Sequence, residues 1–236
     1  MHASVFDDYR EDAMNKCILV GLLILDILLI TGCGSGDQQG KTKIAANLPG
    51  ANATMIPRTL EQKLKSCNVC HGDKKTAMSP SYPYLDGQYK AYLVKQLSDF
   101  MSGKRQEHVM VAMTDDLTVD EVDKLTTHFA EKKRRSVTPS ADRAAIALGK
   151  QVYAKRYVKG DIKSSCVGCH GAKGEGDSVS NVPALTGQKA SYLIMSLYHF
   201  KYLLRTNDPD SVMRNMAANM NDTDILAVSD YITTLK

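Results

Sequence analysis

Two short stretches, CNVCH (Cys67, Cys70, His71) and CVGCH (Cys166, Cys169, His170), share the spacing C-x-x-C-H and stand in two copies of one internal repeat. Pro83, Leu85, Gly87, Gln88, Tyr92, Leu93, Leu97, Phe100 and Arg105 all recur one hundred residues later. Repetition on this scale is the duplication of a domain, so the 236 residues read as two like units rather than one. A residue kept in both halves has been tested twice. C-x-x-C-H is the spacing of c-type haem attachment. Two thiols reach the two vinyl groups on one side of a porphyrin, and the next side chain brings an imidazole to the iron. One helical turn does both.

Cysteine usage agrees. Of six cysteines, four lie in the motifs, Cys17 sits in an apolar leader and Cys33 follows it, which leaves none for a disulfide framework. A zinc site of four cysteines would leave both histidines and a set of paired methionines without a role. Trp is absent and aromatics are few, which suits small helical domains packed around a porphyrin.

The segment Cys17 to Ile30 is apolar but too short to span a membrane, which takes about 20 apolar residues. It reads as the core of a signal peptide covering residues 1–32. Ile30-Thr31-Gly32-Cys33 resembles a bacterial lipobox, with Ile where Leu is usual, and makes Cys33 the expected lipidation site. Asp26 within the apolar run opposes this by about 2.5–3.5 kcal/mol on insertion scales. The first thirteen residues are acidic where a signal should begin basic, whereas Met14-Asn15-Lys16 makes a proper start. Residues 1–13 are therefore expected to be a gene-start artefact. Residues 33–57, rich in Gly, Gln, Asn, Ala and Thr without apolar periodicity, read as a flexible tether. Residues 1–32 carry a net charge of −3, and removing it from the chain's +4 leaves +7. Positive charge steers toward acidic partner surfaces. The run Lys132-Lys133-Arg134-Arg135 is expected to be a solvated domain junction rather than a nucleic-acid patch.

The first domain is expected over 58–135. Thr59 caps a helix that ends in CNVCH. Tyr89, Tyr92, Leu93, Gln96, Leu97 and Phe100 form an amphipathic helix closed by Gly103. Met110 and Met113 lie in the next loop or short turn, and Thr118-Val119-Asp120-Glu121 is a capping box opening the last helix. Residues 136–140 form the linker. The second domain, 141–236, repeats the plan, with a helix from about Ala141 to Tyr157 leading to CVGCH.

His71 and His170 follow from the motif as proximal iron ligands. For the distal position the repeat offers two methionine pairs, Met110 with Met213 and Met113 with Met216, while Met220 aligns with Leu117 as a core residue. The repeat by itself leaves both pairs open. A ligand loop must cross the haem face before the final helix packs, which favours Met110 and Met213. His108 and His128 have no histidine counterpart in the second half, and His199 falls within the amphipathic helix.

The whole pattern, C-x-x-C-H, then P-x-L-x-G-Q-x-x-x-Y-L, an arginine turn, a methionine loop and a final helix, all twice, resembles the dihaem cytochrome c4 family over about Arg58 to Lys236. The resemblance implies an all-α fold of two tandem class I cytochrome c domains related by pseudo-twofold symmetry, each around one covalently bound haem c. In that family the ligand methionines stand where Met110 and Met213 stand here. It also implies that the carbonyls of Pro83 and Pro183 accept the Nδ1 protons of His71 and His170, and it gives Tyr92, Tyr192, Arg105 and Arg205 a role at the propionates or in packing. The lipobox is a departure from the family, as are the longer segment Asn207-Asp208-Pro209-Asp210 and Leu204-Arg205 in place of the Gly-x-Arg turn.

The resemblance implies an electron carrier, not an enzyme and not a nucleic-acid binder; covalent haem attachment puts it in the periplasm, and the lipobox of this sequence, not the family, makes it lipid-anchored. It would pass electrons one at a time from a quinol-oxidising complex to a terminal haem–copper oxidase. The rival reading is the cytochrome subunit of a dehydrogenase, for example one docked to a flavoprotein. A dihaem peroxidase would need one open iron, against which the paired methionines speak.

Overall fold

The computed structural model describes residues 58–72, 79, 82–139, 142–155 and 165–236. Cys33, the leader, the whole tether, and Ser140 and Ala141 lie outside the described residues. Among the described residues the chain is helical and has no strand, only a single bridge between Asp177 and Val182. No described helix is long and apolar enough to cross a membrane.

The N-terminal half opens with α1 (Leu60–His71). Thr59 Oγ1 accepts from the Gln62 amide and Gln62 Oε1 accepts from the Thr59 amide, a reciprocal cap that holds the helix start. Helices α2 (Lys90–Met101), α3 (His108–Thr114) and α4 (Val119–Ala130) follow. Thr118 and Glu121 form the expected capping box on α4. The core of this half is Tyr84, Leu93, Phe100, Val122, Leu125 and Phe129. Beside it, buried Lys63 of α1 reaches Glu121 of α4 at 2.8 Å.

The C-terminal half contains α5 (Arg143–Ala154), α6 (Cys166–His170), α7 (Ala190–Lys201), a 3₁₀ turn at Pro209–Ser211, α8 (Val212–Ala218) and α9 (Asp222–Ile232). Its first helix lies within the span expected from about Ala141 to Tyr157, and both of those residues fall outside the described residues. α5 ends at Ala154, and the haem motif forms a separate short helix capped by Ser165, whose Oγ accepts from the Gly168 amide at 3.1 Å. Asn221 and Asp224 cap α9 reciprocally, in the register of Thr118 and Glu121. α5 crosses α9 at Gly149, where a Cβ would collide with the Ala227 carbonyl. Val152, Tyr153, Leu193, Met220, Ile225, Val228 and Ile232 fill the core against this crossing. Met220 is a core residue, as its alignment with Leu117 requires. Full burial of Ile225 and Val228 contributes about 1.5–3 kcal/mol each.

The basic run at the junction is not a solvated face. Arg134 Nε donates to the Gly87 carbonyl, Arg135 Nε donates to Asp86 at 2.7 Å, and Lys132 lies 3.5 Å from the same carboxylate. Only Lys133 of the four is exposed. The reason is the buried Asp86, which needs cations, and the glycine beside it, which lets backbone pass close by.

Candidate haem sites

Each motif histidine is buried, 7% exposed for His71 and 6% for His170. Nδ1 of His71 lies 2.8 Å from the Pro83 carbonyl, and Nδ1 of His170 lies 2.9 Å from that of Pro183. A carbonyl only accepts, so Nδ1 carries the proton and Nε2 keeps its lone pair. Burial lowers the pKa of both rings, although the carbonyl contact works against it. Both imidazoles are therefore neutral, the form that binds a metal. A hydrogen bond at the far nitrogen fixes ring orientation and raises ligand basicity.

The four motif cysteines are partly buried, and no disulfide joins them. Burial pushes Cys67 up and Cys166 up to about 11, despite favourable backbone hydrogen bonds. Among the described residues no cluster of three or more His, Cys, Asp or Glu converges as a metal site, so a four-cysteine zinc arrangement is not formed.

The methionines stand on short helices rather than in loops, a correction to the sequence reading. Met110 and Met113 lie on α3, Met213 and Met216 on α8, and all four are half-buried. Residues three apart share a helix face, so the helix presents both members of each pair to one side. The α3 cap, Glu107, accepts from the Met110 amide at 2.8 Å and anchors that end of the helix. His108 is exposed on α3, and the buried Nε2 of His128 has no hydrogen-bond partner.

The surface between the halves holds most of what sequence reasoning missed. Gln88 Nε2 donates to the Ala184 carbonyl at 2.9 Å and Gln88 Oε1 accepts from the Ala184 amide at 3.0 Å. Gln188 does the same to Tyr84, at 3.0 and 2.9 Å. The recurrence of Gly-Gln was visible in sequence, but its reach across the pair was not. Arg205, 7% exposed, donates to the Tyr92 hydroxyl at 3.1 Å, to Gln96 Oε1 at 3.0 Å and to Asn207 Oδ1 at 2.9 Å. Asn207 belongs to the longer segment of the second half and also bonds Gln96 and Asp99. His199 lies close to Arg105 and Arg205; burial and both cations lower its pKa.

Among the described residues neither Arg105 nor Arg205 has a carboxylate ion-pair partner; the partners of Arg205 are neutral oxygens. Burial would raise the pKa of Tyr192, yet the two guanidiniums overcome it and lower that pKa. A buried cation with neutral acceptors calls for an anion, and the carboxylates of a porphyrin would supply it. The residues present thus fit two haems: paired thiols, oriented neutral imidazoles, half-buried thioethers on a short helix in each half and cations at the junction.

Comparison with known proteins agrees. The cytochrome c family model matches residues 146–236. A cytochrome c4 of Thiocapsa roseopersicina is 37% identical over 171 residues, covering 72% of this chain and 86% of that protein. A protein of Stutzerimonas stutzeri named thiosulfate dehydrogenase electron acceptor is 32% identical, covering 72% and 79%. The crystal structure of reduced recombinant cytochrome c4 from Pseudomonas stutzeri superposes with a TM-score of 0.64 at 30% identity, covering 75% of this chain and 99% of that one. With the all-α class I cytochrome c fold and two covalent haem c groups that this kinship carries, the chain belongs to the cytochrome c4 family.

Proposed function

We propose that this dihaem electron carrier is a lipid-anchored periplasmic protein that takes electrons from a quinol-oxidising complex and delivers them to a terminal haem–copper oxidase. The observation that supports it best is the pair of buried histidines, each held by a proline carbonyl, with methionine on the short helix that follows in both halves. His71 with Met110 and His170 with Met213 are the proposed iron ligands, and Cys67, Cys70, Cys166 and Cys169 the covalent attachments. The haem iron supplies one-electron exchange between ferric and ferrous states. The protein's part would be to hold the iron through His71, Met110, His170 and Met213, to orient the imidazoles by the Pro83 and Pro183 carbonyls, and to offer Arg105 and Arg205 as cations to the haem carboxylates.

The test is the far-red sulfur-to-iron charge-transfer band of the oxidised protein, with a redox titration of the same sample. Intensity for two methionine-bound haems, with no response to carbon monoxide, is expected. Intensity for one haem with carbon monoxide binding would point to an open iron and a peroxidase. Replacing Cys33 with Ser should move the protein from the membrane to the soluble fraction, and unchanged membrane association would sink the anchor.

The relatives named as thiosulfate dehydrogenase electron acceptors favour a second reading, in which the donor is a dehydrogenase. Co-purification from cells of the natural host, followed by stopped-flow reduction by the partner obtained, separates the two readings.

A further inference from the structure

We infer that each half of the chain tunes the haem site of the other half, through Gln88 and Gln188. Given the haem reading above, the coupling runs through one peptide group per site. The carbonyl of Pro83 and the amide N–H of Tyr84 are the two ends of a single peptide unit. Its oxygen faces Nδ1 of His71 at 2.8 Å, and its N–H donates to Gln188 Oε1 at 2.9 Å. The second site mirrors the first. Nδ1 of His170 meets the Pro183 carbonyl at 2.9 Å, and the Ala184 N–H of the same peptide unit donates to Gln88 Oε1 at 3.0 Å. Each motif histidine is thus one peptide group away from a side chain of the opposite half.

The physics gives the sign. An N–H engaged by a good acceptor pushes electron density onto its own carbonyl oxygen, because hydrogen bonds in series polarise one another. A more basic carbonyl pulls harder on the Nδ1 proton and makes the imidazole a stronger donor to iron. Stronger donation favours the ferric state. The effect is protected from water: Tyr84 is 7% exposed, Ala184 5% and Gln188 7%. Each glutamine is also held in place by its own backbone. Gln88 Oε1 accepts a second N–H, from Tyr89 at 3.0 Å, and Gln188 Oε1 one from Lys189 at 3.1 Å. The Nε2 groups complete the clasp on the Ala184 and Tyr84 carbonyls.

A glutamine that merely glued the halves together would disturb both sites alike, or its own half most. Tuning through the shared peptide predicts a crossed result. In the haem-loaded protein, Gln188→Met should raise the ferrous-to-ferric ratio of the His71 haem several-fold at a fixed applied potential, and move the His170 haem less. Gln88→Met should do the reverse. The haems are told apart by assigned haem-methyl NMR signals, and the Nδ1–H resonance of the opposite histidine should shift upfield as its hydrogen bond weakens. Gln188→Glu and Gln88→Glu keep an acceptor oxygen and the side-chain size; they should lower the same crossed ratio, and they carry the test where a Met variant fails to assemble. Equal shifts, or a larger shift in the variant's own half, would overturn the inference. A wild-type protein without two haems by pyridine haemochrome would instead overturn the reading beneath it.

Discussion

The backbone carbonyl of Arg135 occupies the space that a Cβ on Gly187 would need. Gly87 stands in the same relation to Lys132 and Arg134, and both glycines are left-handed, at φ +72° and +79°. The duplicated glycine therefore serves one purpose twice: it lets the segment between the halves lie flat on each Gly-Gln turn.

From this follows the first expectation. Gly187→Ala pays about 1–2 kcal/mol for a left-handed alanine and about 1–3 kcal/mol for displacing the Arg135 backbone. Urea unfolding should show a lower midpoint with an unchanged slope. A loss below ~0.5 kcal/mol would mean that the segment moves aside freely.

The Lys63 ammonium, with its side chain 5% exposed, bonds both carboxylate oxygens of Glu121 and the Asp116 carbonyl. Lys63→Met should cost about 1.5–3 kcal/mol, less than a fully buried pair because Glu121 keeps some water. The bond from Lys63, then that from the Thr118 amide, lowers the Glu121 pKa in the folded state. A depressed folded value contributes stability that is present above the unfolded carboxylate value of about 4.3 and is lost as pH falls through the lowered value. The gap between wild type and Lys63→Met should therefore narrow in acid below that point, and a gap constant down to acid would refute the pairing.

Met110→Leu and Met113→Leu separate the two ligand choices on α3. The first should remove half of the far-red charge-transfer band and open one iron to carbon monoxide. The second is a volume-conserving change that should cost less than about 1.5 kcal/mol and keep the band. Met213→Leu and Met216→Leu should behave in the same way. Reversed results would move the ligands to Met113 and Met216.

Arg205 ties Tyr92 and Gln96 of one half to Asn207 of the other. Arg205→Met removes the donor to the Tyr92 hydroxyl and Asn207 Oδ1, while Gln96 Oε1 keeps those from Arg105 and Asn207, at about 1–3 kcal/mol. It also removes a buried positive charge, so both haem potentials should fall, because ferric iron gains relative to ferrous when a nearby cation is lost. Unchanged potentials with the expected loss of stability would reduce Arg205 to packing alone. Spectroelectrochemistry and thermal unfolding on the same preparation read both quantities.

What could be read from the chain alone was what local chemistry dictates. C-x-x-C-H, twice, names its cofactor because one helical turn carries two thiols and an imidazole to one porphyrin. Thr59, Thr118 and Gly103 marked helix ends because capping is decided within four residues. The repeat showed that Pro83, Gly87, Gln88 and Arg105 matter twice, without saying why. The register of Met220 was also legible, since a capped helix start sets the residue before it.

Tertiary structure decided the rest, for reasons of distance. Gln188 and Tyr84 are 104 residues apart, and no local pattern says that a side-chain amide will seat on that backbone. The basic run looked solvated because its partner, buried Asp86, lies 49 residues away from Arg135. The methionines were expected in a loop or short turn because each helix that carries them is only seven residues long, too short for periodicity to declare. The sequence by itself determined the cofactor, the helices and the duplication, which depend on neighbours along the chain; packing of one half on the other determined which repeated polar groups meet, and so how each site is tied to its twin.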